Sequence, residues 1–238
     1  MLIFLDIETT GFERDDKICS LGLLCFEEDE FLERDYALVN EAKKIPAKAS
    51  ALHNITNEMI ADAKPVRESS VYKTLCKYNK DTNSLVVHDA SFVLAFLSAA
   101  GLSWNGTIID TKKLVKHTIQ ECEIFTLEFL RYELKLYRQE DKYKALCGIK
   151  DALIAHHALH DALLIKMLYD YLHQDIELDT MARLSFENVL LEKFPFGKYQ
   201  GRYIEEITQE DFAYLEWLLA LEDLDSDLRY SLMYYLEG

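Results

Sequence analysis

Short apolar segments come first along the chain, and helical patterns dominate later. Strands are predicted at 1–6, about 19–26, about 32–39, 84–88 and 107–110, and helices at about 48–62, at 67–78, from about 90, and after 110 through 173. The acidic run 27–30 lies between two strands and predicts a solvated hairpin tip. Strands that come first and then alternate with helices predict an α/β fold, with a mixed sheet covered by helices.

The end of the chain has a different pattern. Residues 174–193 contain no Pro or Gly and have weak periodicity, which predicts a short helical or extended linker. After them come glycine-flanked turns among aromatic residues, and an apolar stripe at helical spacing that includes Tyr214, Leu218 and Leu221. The predicted division is a main domain at 1–173, a linker at 174–193 and a small C-terminal module at 194–238.

Two carboxylates interrupt the first apolar strand. Asp6 and Glu8 lie in the segment Asp-Ile-Glu-Thr-Thr-Gly, and alternation along a strand puts them on one face, about 7 Å apart. Mg²⁺ or Mn²⁺ is the natural partner, because these ions take oxygen ligands and no Cys/His cluster with zinc spacing lies nearby. The alternative is a strand end whose acids face water, which is common in so acidic a chain.

Three further segments follow the acids of the first strand along the chain. The run 156–161, His-His-Ala-Leu-His-Asp, opens an apolar helix and reads His-x-Ala-x-x-Asp; the runs 51–60 and 85–92 lie between it and the first motif. Together they resemble the DEDDh 3′-5′ exonuclease superfamily over residues 1 to about 173. The resemblance implies a ribonuclease H-like form of the mixed sheet.

The tail resembles one branch of that superfamily. Residues 194–202, Phe-Pro-Phe-Gly-Lys-Tyr-Gln-Gly-Arg, and residues 212–219 are similar to the small, mostly helical C-terminal module of exodeoxyribonuclease X-like proteins. Lys198 and Arg202 either contact phosphate or lie on the exposed turn of a packed mini-domain. The second interpretation is favoured, because aromatic residues at helical or turn spacing usually form a core.

The resemblance assigns roles to four residues. In the family, the acids of the first motif and the Asp of the third hold two divalent ions, which points to Asp6, Glu8 and Asp161 here, with His156 as the matching general base. Five positions along a helix rotate by about 140°, so we predict that His156 precedes the regular helix. The alternatives are a surface histidine and an acid favoured by the helix dipole.

Substrate contacts also follow from the resemblance. They are Thr9 and Thr10 at the terminal 3′-OH, Phe12 and Ile55 on either side of the last base, and His53 nearby. Phe12 is equally compatible with an ordinary core position. His53 and His88 lie beside apolar neighbours, a setting typical of structural histidines.

One position departs from the family pattern. The second motif normally reads His-Asn-Ala-x-Phe-Asp, whereas this chain has Val93 in place of the final acid and carries Asp89 four positions earlier. Asp89 is either a water-bridged substitute ligand or a helix N-cap. Because the missing acid mainly supports the second metal ion in the family, its loss predicts a weakened second ion.

Net charge restricts the kind of nucleic-acid binding. The chain has 42 acids against 26 Lys plus Arg, a formal charge of −16, which argues against a high-affinity duplex binder. An enzyme that holds only the last few nucleotides by metal ions and stacking needs little basic surface. Lys112, Lys113, Lys116 and His117, and also Lys142 with Lys144, form basic clusters that line either a strand path or a solvated helix face.

Composition predicts a soluble, cytoplasmic protein. The 238 residues supply a full core plus a small appendage, and no run approaches the ~20 apolar residues of a membrane span. The amino terminus lacks an export signal, and the five scattered cysteines are typical of reduced thiols. Neither membrane insertion nor a disulfide framework is predicted.

These observations lead to one functional hypothesis with two alternatives. The first is a Mg²⁺- or Mn²⁺-dependent exonuclease that releases nucleoside monophosphates from single-stranded or mismatched DNA 3′ ends, in repair or proofreading. An RNA exonuclease of the ribonuclease T type would use the same site. The third possibility is a catalytically degenerate subunit that binds nucleic acid or a polymerase.

Overall fold

A five-stranded mixed sheet forms the centre of the molecule. The computed structural model describes residues 1–119, 121–122 and 124–237. The strands are β1 (Leu2–Thr9), β2 (Ile18–Glu27), β3 (Glu30–Leu38), β4 (Ser84–Val87) and β5 (Thr107–Asp110), in the order β3-β2-β1-β4-β5. The first three strands pair antiparallel, while β4 pairs parallel with β1 and β5. The predicted mixed sheet is confirmed.

Helices cover both faces of this sheet. In the described part of the chain they are α1 (Ala47–His53), α2 (Ser70–Tyr78), α3 (Ala90–Ala99), α4 (Thr111–Thr118), α5 (Leu127–Glu133), α6 (Glu140–Cys147), α7 (Ala158–His173), α8 (Leu178–Leu184), α9 (Ile204–Glu210), α10 (Phe212–Leu219) and α11 (Ser226–Glu237). Within those residues, no helix is both long and apolar enough to cross a membrane.

The two faces of β1 belong to two separate cores, because successive side chains on a strand point in opposite directions. Phe4 packs in the core that α7 covers, whereas Ile3 and Ile7 pack in the core on the side of α2 and α3. Asp6 and Glu8 share the face of Phe4. Both carboxylates of β1 are therefore directed to the α7 side of the sheet.

Helix α7 is buried along most of its length and packs against β1 and β2. Even its Lys166 side chain is 3% exposed: the ammonium lies 2.5 Å from a carboxylate oxygen of Asp170 and 4.7 Å from the centre of the Phe26 ring. The carboxylate and the ring face replace water around this cation. The helix is thus held on the sheet by apolar contacts and by the contact of the Lys166 ammonium with the Phe26 ring.

A glycine on β2 permits the close approach of α7. Gly22 pairs across the ladder with Asp6, and a Cβ atom added at Gly22 would lie 2.1 Å from the backbone nitrogen of Leu159. That separation is a steric clash, so a residue without a side chain is needed where the first turn of α7 meets the sheet. Gly22 therefore sets how near the start of α7 comes to the acids of β1.

Some predicted boundaries are wrong. The helix predicted at 48–62 ends at His53, because Asn54 adopts a left-handed backbone (φ 60°) that caps α1. The helix predicted at 67–78 begins at Ser70, after a 3₁₀ turn at Val66–Glu68. Helix α10 ends at Leu219, so Leu221 lies outside the helical stripe assigned to it.

The segment predicted as a linker contains helix α8. Met181 of this helix is fully buried in the core beside α7, and the Ser185 hydroxyl accepts a hydrogen bond of 2.8 Å from the backbone N–H of Asp110. This part of 174–193 packs on the main sheet. The division of the chain at 173 and 193 stays a prediction.

The C-terminal residues form a small core of their own. Its buried members are Phe194, Ile204, Ile207, Leu215, Leu218, Leu228 and Leu232. Asp227 of α11, 1% exposed, joins this unit to α4: one carboxylate oxygen accepts from Lys116 at 2.9 Å, and the other accepts from Lys113 and from the Val189 N–H. A buried carboxylate with three donors therefore links the module to the main sheet.

Gly22→Ala tests the contact between α7 and the sheet. The added methyl group must displace the first turn of α7, so we expect the free energy of unfolding to fall by about 1–3 kcal/mol or more. Urea denaturation measures the change, with Glu27→Ala at the exposed end of β2 as the control. A Gly22→Ala protein as stable as this control would show that α7 does not need the glycine.

Candidate active site

Three side chains of the predicted site converge where β1 ends and α7 begins. The ligand atoms of Glu8, His156 and Asp161 all lie within 4.8 Å of one another. Glu8 stands next to a bulge at the end of β1, and Asp161 lies in the first turn of α7. Asp6 lies two residues before Glu8 on the same face of β1, and the charge of Asp161 raises its pKa.

His156 lies outside the regular helix, as predicted. Helix α7 begins at Ala158, and the backbone of His156 has a left-handed φ of 56°. A left-handed φ is unfavourable for a residue with a side chain and persists where the surroundings impose it. This turn brings the imidazole beside Glu8 and Asp161, a position that helical spacing alone would not give.

Asp161 is buried without full hydrogen bonding. The side chain is 3% exposed, and its Oδ1 atom has no hydrogen-bond partner within the described residues. A buried charged oxygen without a partner is costly. The Oδ1 atom of Asp161 is therefore left to bind a proton or a cation.

The acids of the site favour their protonated forms when no cation is present. Burial raises the pKa of Asp6 well above its ordinary value, and the nearby charges of Asp161 and Glu8 raise it further. Burial raises the pKa of Glu8 to about 8, and the pKa of Asp161 rises for the same reason. Like charges held close together in a poorly solvated region produce this effect.

A fourth acid, Glu128 on α5, was not among the predicted site residues. Its charge raises the pKa of Asp6, Glu8 and Asp161, and for Asp161 it acts more strongly than Glu8 does. Glu128 stands in no motif, and its distance from the other acids along the chain hides the contact. Only the packing of α5 beside α7 could reveal it.

The donor set fits divalent cations. Carboxylate oxygens are the ligands that hard divalent ions prefer, and the unpartnered Oδ1 of Asp161 offers a free lone pair to one. Asp6, Glu8 and Asp161 together supply the negative charge that would balance such an ion. The same acids without a cation repel one another, which agrees with the raised pKa values.

Asp89 has a structural role in place of the suggested metal contact. Its side chain caps α3 by accepting from the Phe92 N–H, accepts from Ser91, and forms an ion pair of 2.8 Å with Lys112. Burial raises the pKa of Asp89, but Lys112 and the hydrogen bonds outweigh burial and lower it. We therefore leave Asp89 out of the proposed ligand set and retain the N-cap interpretation.

Val93 lies in the apolar core on the far side of β1. It is 1% exposed and belongs to the cluster that contains Ile7. An apolar side chain at 93 therefore completes this core. The structure explains how the chain accommodates valine there.

The hydroxyl groups of the two threonines are used within the turn that follows β1. Thr9 donates to the Gly11 carbonyl at 2.6 Å, while Thr10 donates to Asp16 at 2.7 Å and accepts from the Lys17 N–H. These bonds fix the turn beside Glu8. Contact between either threonine and a 3′-OH stays a prediction.

Phe12 and Ile55 occupy opposite environments. The Phe12 side chain is 72% exposed, with its ring centre 5.9 Å from that of Phe92, so the alternative of an ordinary core position is wrong. Ile55 is 4% exposed in a small core with Cys19 and Ile45. Its burial leaves little surface for a base, whereas Phe12 presents an open ring face.

His53 is buried beside the first motif. Its Nδ1 accepts a 3.0 Å hydrogen bond from the Ile55 N–H, and its Nε2 lies 3.7 Å from the sulfur of Cys19. Burial lowers the pKa of His53, which favours the neutral ring that this acceptor role requires. The contacts describe a structural histidine behind β1.

The basic clusters of the sequence are largely neutralised. Lys113 and Lys116 pair with Asp227, and Lys198 pairs with Asp211 at 2.7 Å. In the same module, Arg202 pairs with Glu206 and Glu210. These cations support the packed interpretation of the C-terminal module, and they do not form a free phosphate path.

Two family models cover most of the chain. Residues 3–169 match the model described as Exonuclease, which spans the sheet and all four acids of the site. Residues 194–223 match the model described as Exodeoxyribonuclease X-like C-terminal, which covers the Phe194 loop and the helices after it.

Known proteins match over the same regions. Exodeoxyribonuclease 10 of Escherichia coli (strain K12) is 27% identical over 241 residues, covering all of both chains. DNA polymerase III PolC-type of Bacillus cereus (strain ATCC 14579) is 30% identical over 187 residues, 74% of this chain and 12% of that one. The structure of "Exonuclease X in complex with 5′ overhanging duplex DNA" has a TM-score of 0.59 at 22% identity, covering 78% of this chain and 99% of that one.

The structural match confirms the ribonuclease H-like fold, and the two family matches lie in the order that the motifs predict. The chain belongs to the DEDDh exonuclease family, in its exodeoxyribonuclease X-like branch with the small C-terminal module.

Proposed function

We propose that this protein is a metal-dependent 3′-5′ exonuclease that removes nucleoside monophosphates from DNA 3′ ends, single-stranded or mismatched. The convergence of Glu8, His156 and Asp161 within 4.8 Å, beside Asp6, carries this proposal. DNA as the substrate is supported by the full-length similarity to an exodeoxyribonuclease. A role in repair or proofreading, in the cytoplasm, is part of the same proposal.

In the proposed site, Asp6, Glu8 and Asp161 hold Mg²⁺ or Mn²⁺. Two bound metal ions would lower the pKa of an attacking water and neutralise the charge that develops on the leaving 3′ oxygen. Asp161 is buried, and its Oδ1 has no hydrogen-bond partner among the described residues, so a cation bound there would displace little water. The close contact of α7 with Gly22 keeps Asp161, the site acid on this helix, at a constant distance from β1.

His156 takes the proton from the attacking water in this scheme. Its imidazole lies within 4.8 Å of the ligand oxygens of Glu8 and Asp161, so a water held by those acids is within reach of the ring. Because His156 precedes α7, its ring can turn without disturbing the helix. The positioned imidazole thus supplies the general base.

The 3′ end of the substrate is bound by base stacking more than by charge. Phe12 presents an exposed ring at the end of the first motif, and aromatic faces hold bases of any sequence. A chain with a formal charge of −16 gains little from long-range attraction to phosphates. We therefore propose that only the terminal nucleotides are held.

The proposed function is tested with end-labelled DNA and RNA oligomers of one sequence, incubated with Mg²⁺ or Mn²⁺. We expect stepwise shortening of the DNA from its 3′ end with release of mononucleotides, and no shortening in EDTA. Faster shortening of the RNA would replace the proposal by an RNA exonuclease. Binding without shortening of either oligomer in any metal would leave a catalytically degenerate binding subunit.

His156→Ala should lower turnover by roughly 10²–10⁴-fold, because the attacking water then lacks its proton acceptor. Single-turnover rates on 3′-labelled DNA measure the loss, while DNA affinity and melting temperature should stay near wild type. His173→Ala, at the exposed end of the same helix, is the control. Unchanged turnover in His156→Ala would exclude this histidine as the base.

Glu8→Gln tests the electrostatics of the site without metal. In the folded protein Glu8 has a pKa of about 8, above its ordinary 4.5, so the folded state binds the proton more tightly than the unfolded state. Wild-type stability in EDTA should therefore fall as pH rises from 4.5 to 8, whereas glutamine cannot ionise. Glu8→Gln should gain stability over wild type across this window, on the order of 1–4 kcal/mol.

Urea denaturation in EDTA at several pH values measures that difference, with Glu30→Gln at an exposed position of β3 as the control. Saturating Mn²⁺ should reverse the order, because the wild-type carboxylate then has its counter-ion. A stability difference between Glu8→Gln and wild type that does not change with pH would show that the Glu8 carboxyl is not held in a desolvated site.

A further inference from the structure

The site has an acid that the family motifs do not provide, and it lacks one that they do. We propose that Glu128 of α5 supplies the fourth carboxylate of the metal site, in place of the second-motif acid that Val93 replaces. This inference rests on the proposed metal-dependent function and identifies a further ligand for it.

The packing of α5 places Glu128 at the site. Leu127 and Leu130 are buried in the core that α7 covers, which fixes the inward face of α5 against α7. Glu128 follows Leu127 directly in the first turn and is half-buried. Because α5 packs against α7, which carries Asp161, the Glu128 charge also raises the pKa of Asp161 and of the two acids of β1.

The basic side chain nearest to Glu128 along α5 is already paired with another acid. Arg131, one turn further along α5, is held by Glu140 through two hydrogen bonds of 2.5 and 2.7 Å between guanidinium and carboxylate. In the described portions of the chain, no basic side chain forms an ion pair with Glu128. Since the adjacent arginine is already bound to Glu140, this half-buried carboxylate has no ion-pair partner among the described residues.

The second-motif segment holds α5 in this position. The His88 side chain is half-buried, and its Nε2–H donates a 2.6 Å hydrogen bond to the Phe125 carbonyl, just before Thr126 caps α5. Burial lowers the pKa of His88, and its Nδ1 lies 2.9 Å from the hydroxyl oxygen of Thr111. His88 thus acts as a positioning residue: the motif that has lost its own acid anchors the helix that carries another.

Charge balance favours four acids over three. The carboxylates of Asp6, Glu8, Asp161 and Glu128 carry four negative charges, which match the four positive charges of two divalent ions. With Val93 in the apolar core and Asp89 paired to Lys112, neither position of the second motif offers a free oxygen. Glu128 restores the charge that the family pattern otherwise provides.

Glu128→Gln tests the proposal, with Glu133→Gln on the exposed end of the same helix as the matched control. Isothermal titration with Mn²⁺ on the full-length protein should give two sites in wild type and in the control. We expect Glu128→Gln to weaken at least one site by roughly 10–100-fold. Mn²⁺ binding by Glu128→Gln equal to that of Glu133→Gln would overturn the proposal.

Melting in EDTA gives an independent reading. Removal of one of four like charges should leave Glu128→Gln at least as stable as wild type, while its melting temperature should rise less on Mn²⁺ addition. A clear loss of stability in EDTA would show that Glu128 is not repelled by the other acids, which also overturns the proposal. Glu128→Asp keeps the charge on a shorter side chain and should bind Mn²⁺ between wild type and Glu128→Gln.

Failure of the exonuclease proposal gives a different result. A wild-type protein whose two Mn²⁺ sites depend on Glu128, but which shortens neither DNA nor RNA, would keep Glu128 as a ligand and reject the activity. A wild-type protein that shortens DNA while Glu128→Gln binds Mn²⁺ normally would keep the activity and reject Glu128.

Discussion

Mutual repulsion of buried carboxylates is the constraint on which the rest of the structure depends. Asp6, Glu8 and Asp161 come together where water is scarce, and their raised pKa values record the cost. A chain holds such groups together only if other contacts outweigh the repulsion. Here the buried face of α7, the missing side chain at Gly22 and the contact of Lys166 with the Phe26 ring of β2 supply those contacts.

Asp227, a buried acid outside the site, has a lowered pKa, in contrast to the acids of the site. Burial alone would raise the pKa of Asp227, but Lys113, the Val189 N–H and Lys116 outweigh it and lower the pKa. That carboxylate is satisfied by the polypeptide, and its role is to join the C-terminal module to the main sheet. Within the described residues no basic side chain forms an ion pair with Asp6, Glu8 or Asp161, and burial outweighs the backbone hydrogen bonds that Asp6 and Asp161 accept. Their charge is therefore left for a ligand.

Sequence patterns predict the site where chemistry is local and fail where it depends on packing. Alternation along β1 was enough to put Asp6 and Glu8 on one face, and helical rotation was enough to place His156 before α7. Glu128 could not be found this way, because its relation to Asp161 exists only through the contact of α5 with α7. The shortening of α1 at Asn54 and the pairing of Lys113 and Lys116 with Asp227 likewise depend on tertiary structure.

Anomalous diffraction from crystals soaked in Mn²⁺ tests the central claim most directly, because it locates the cation that the buried acids require. We expect at least one strong peak about 2.0–2.3 Å from carboxylate oxygens of Asp6, Glu8 and Asp161. A second peak should lie toward Glu128. Full occupancy of Mn²⁺ elsewhere, with these carboxyl groups still close together and free of metal, would contradict the claim that their repulsion is resolved by a divalent ion.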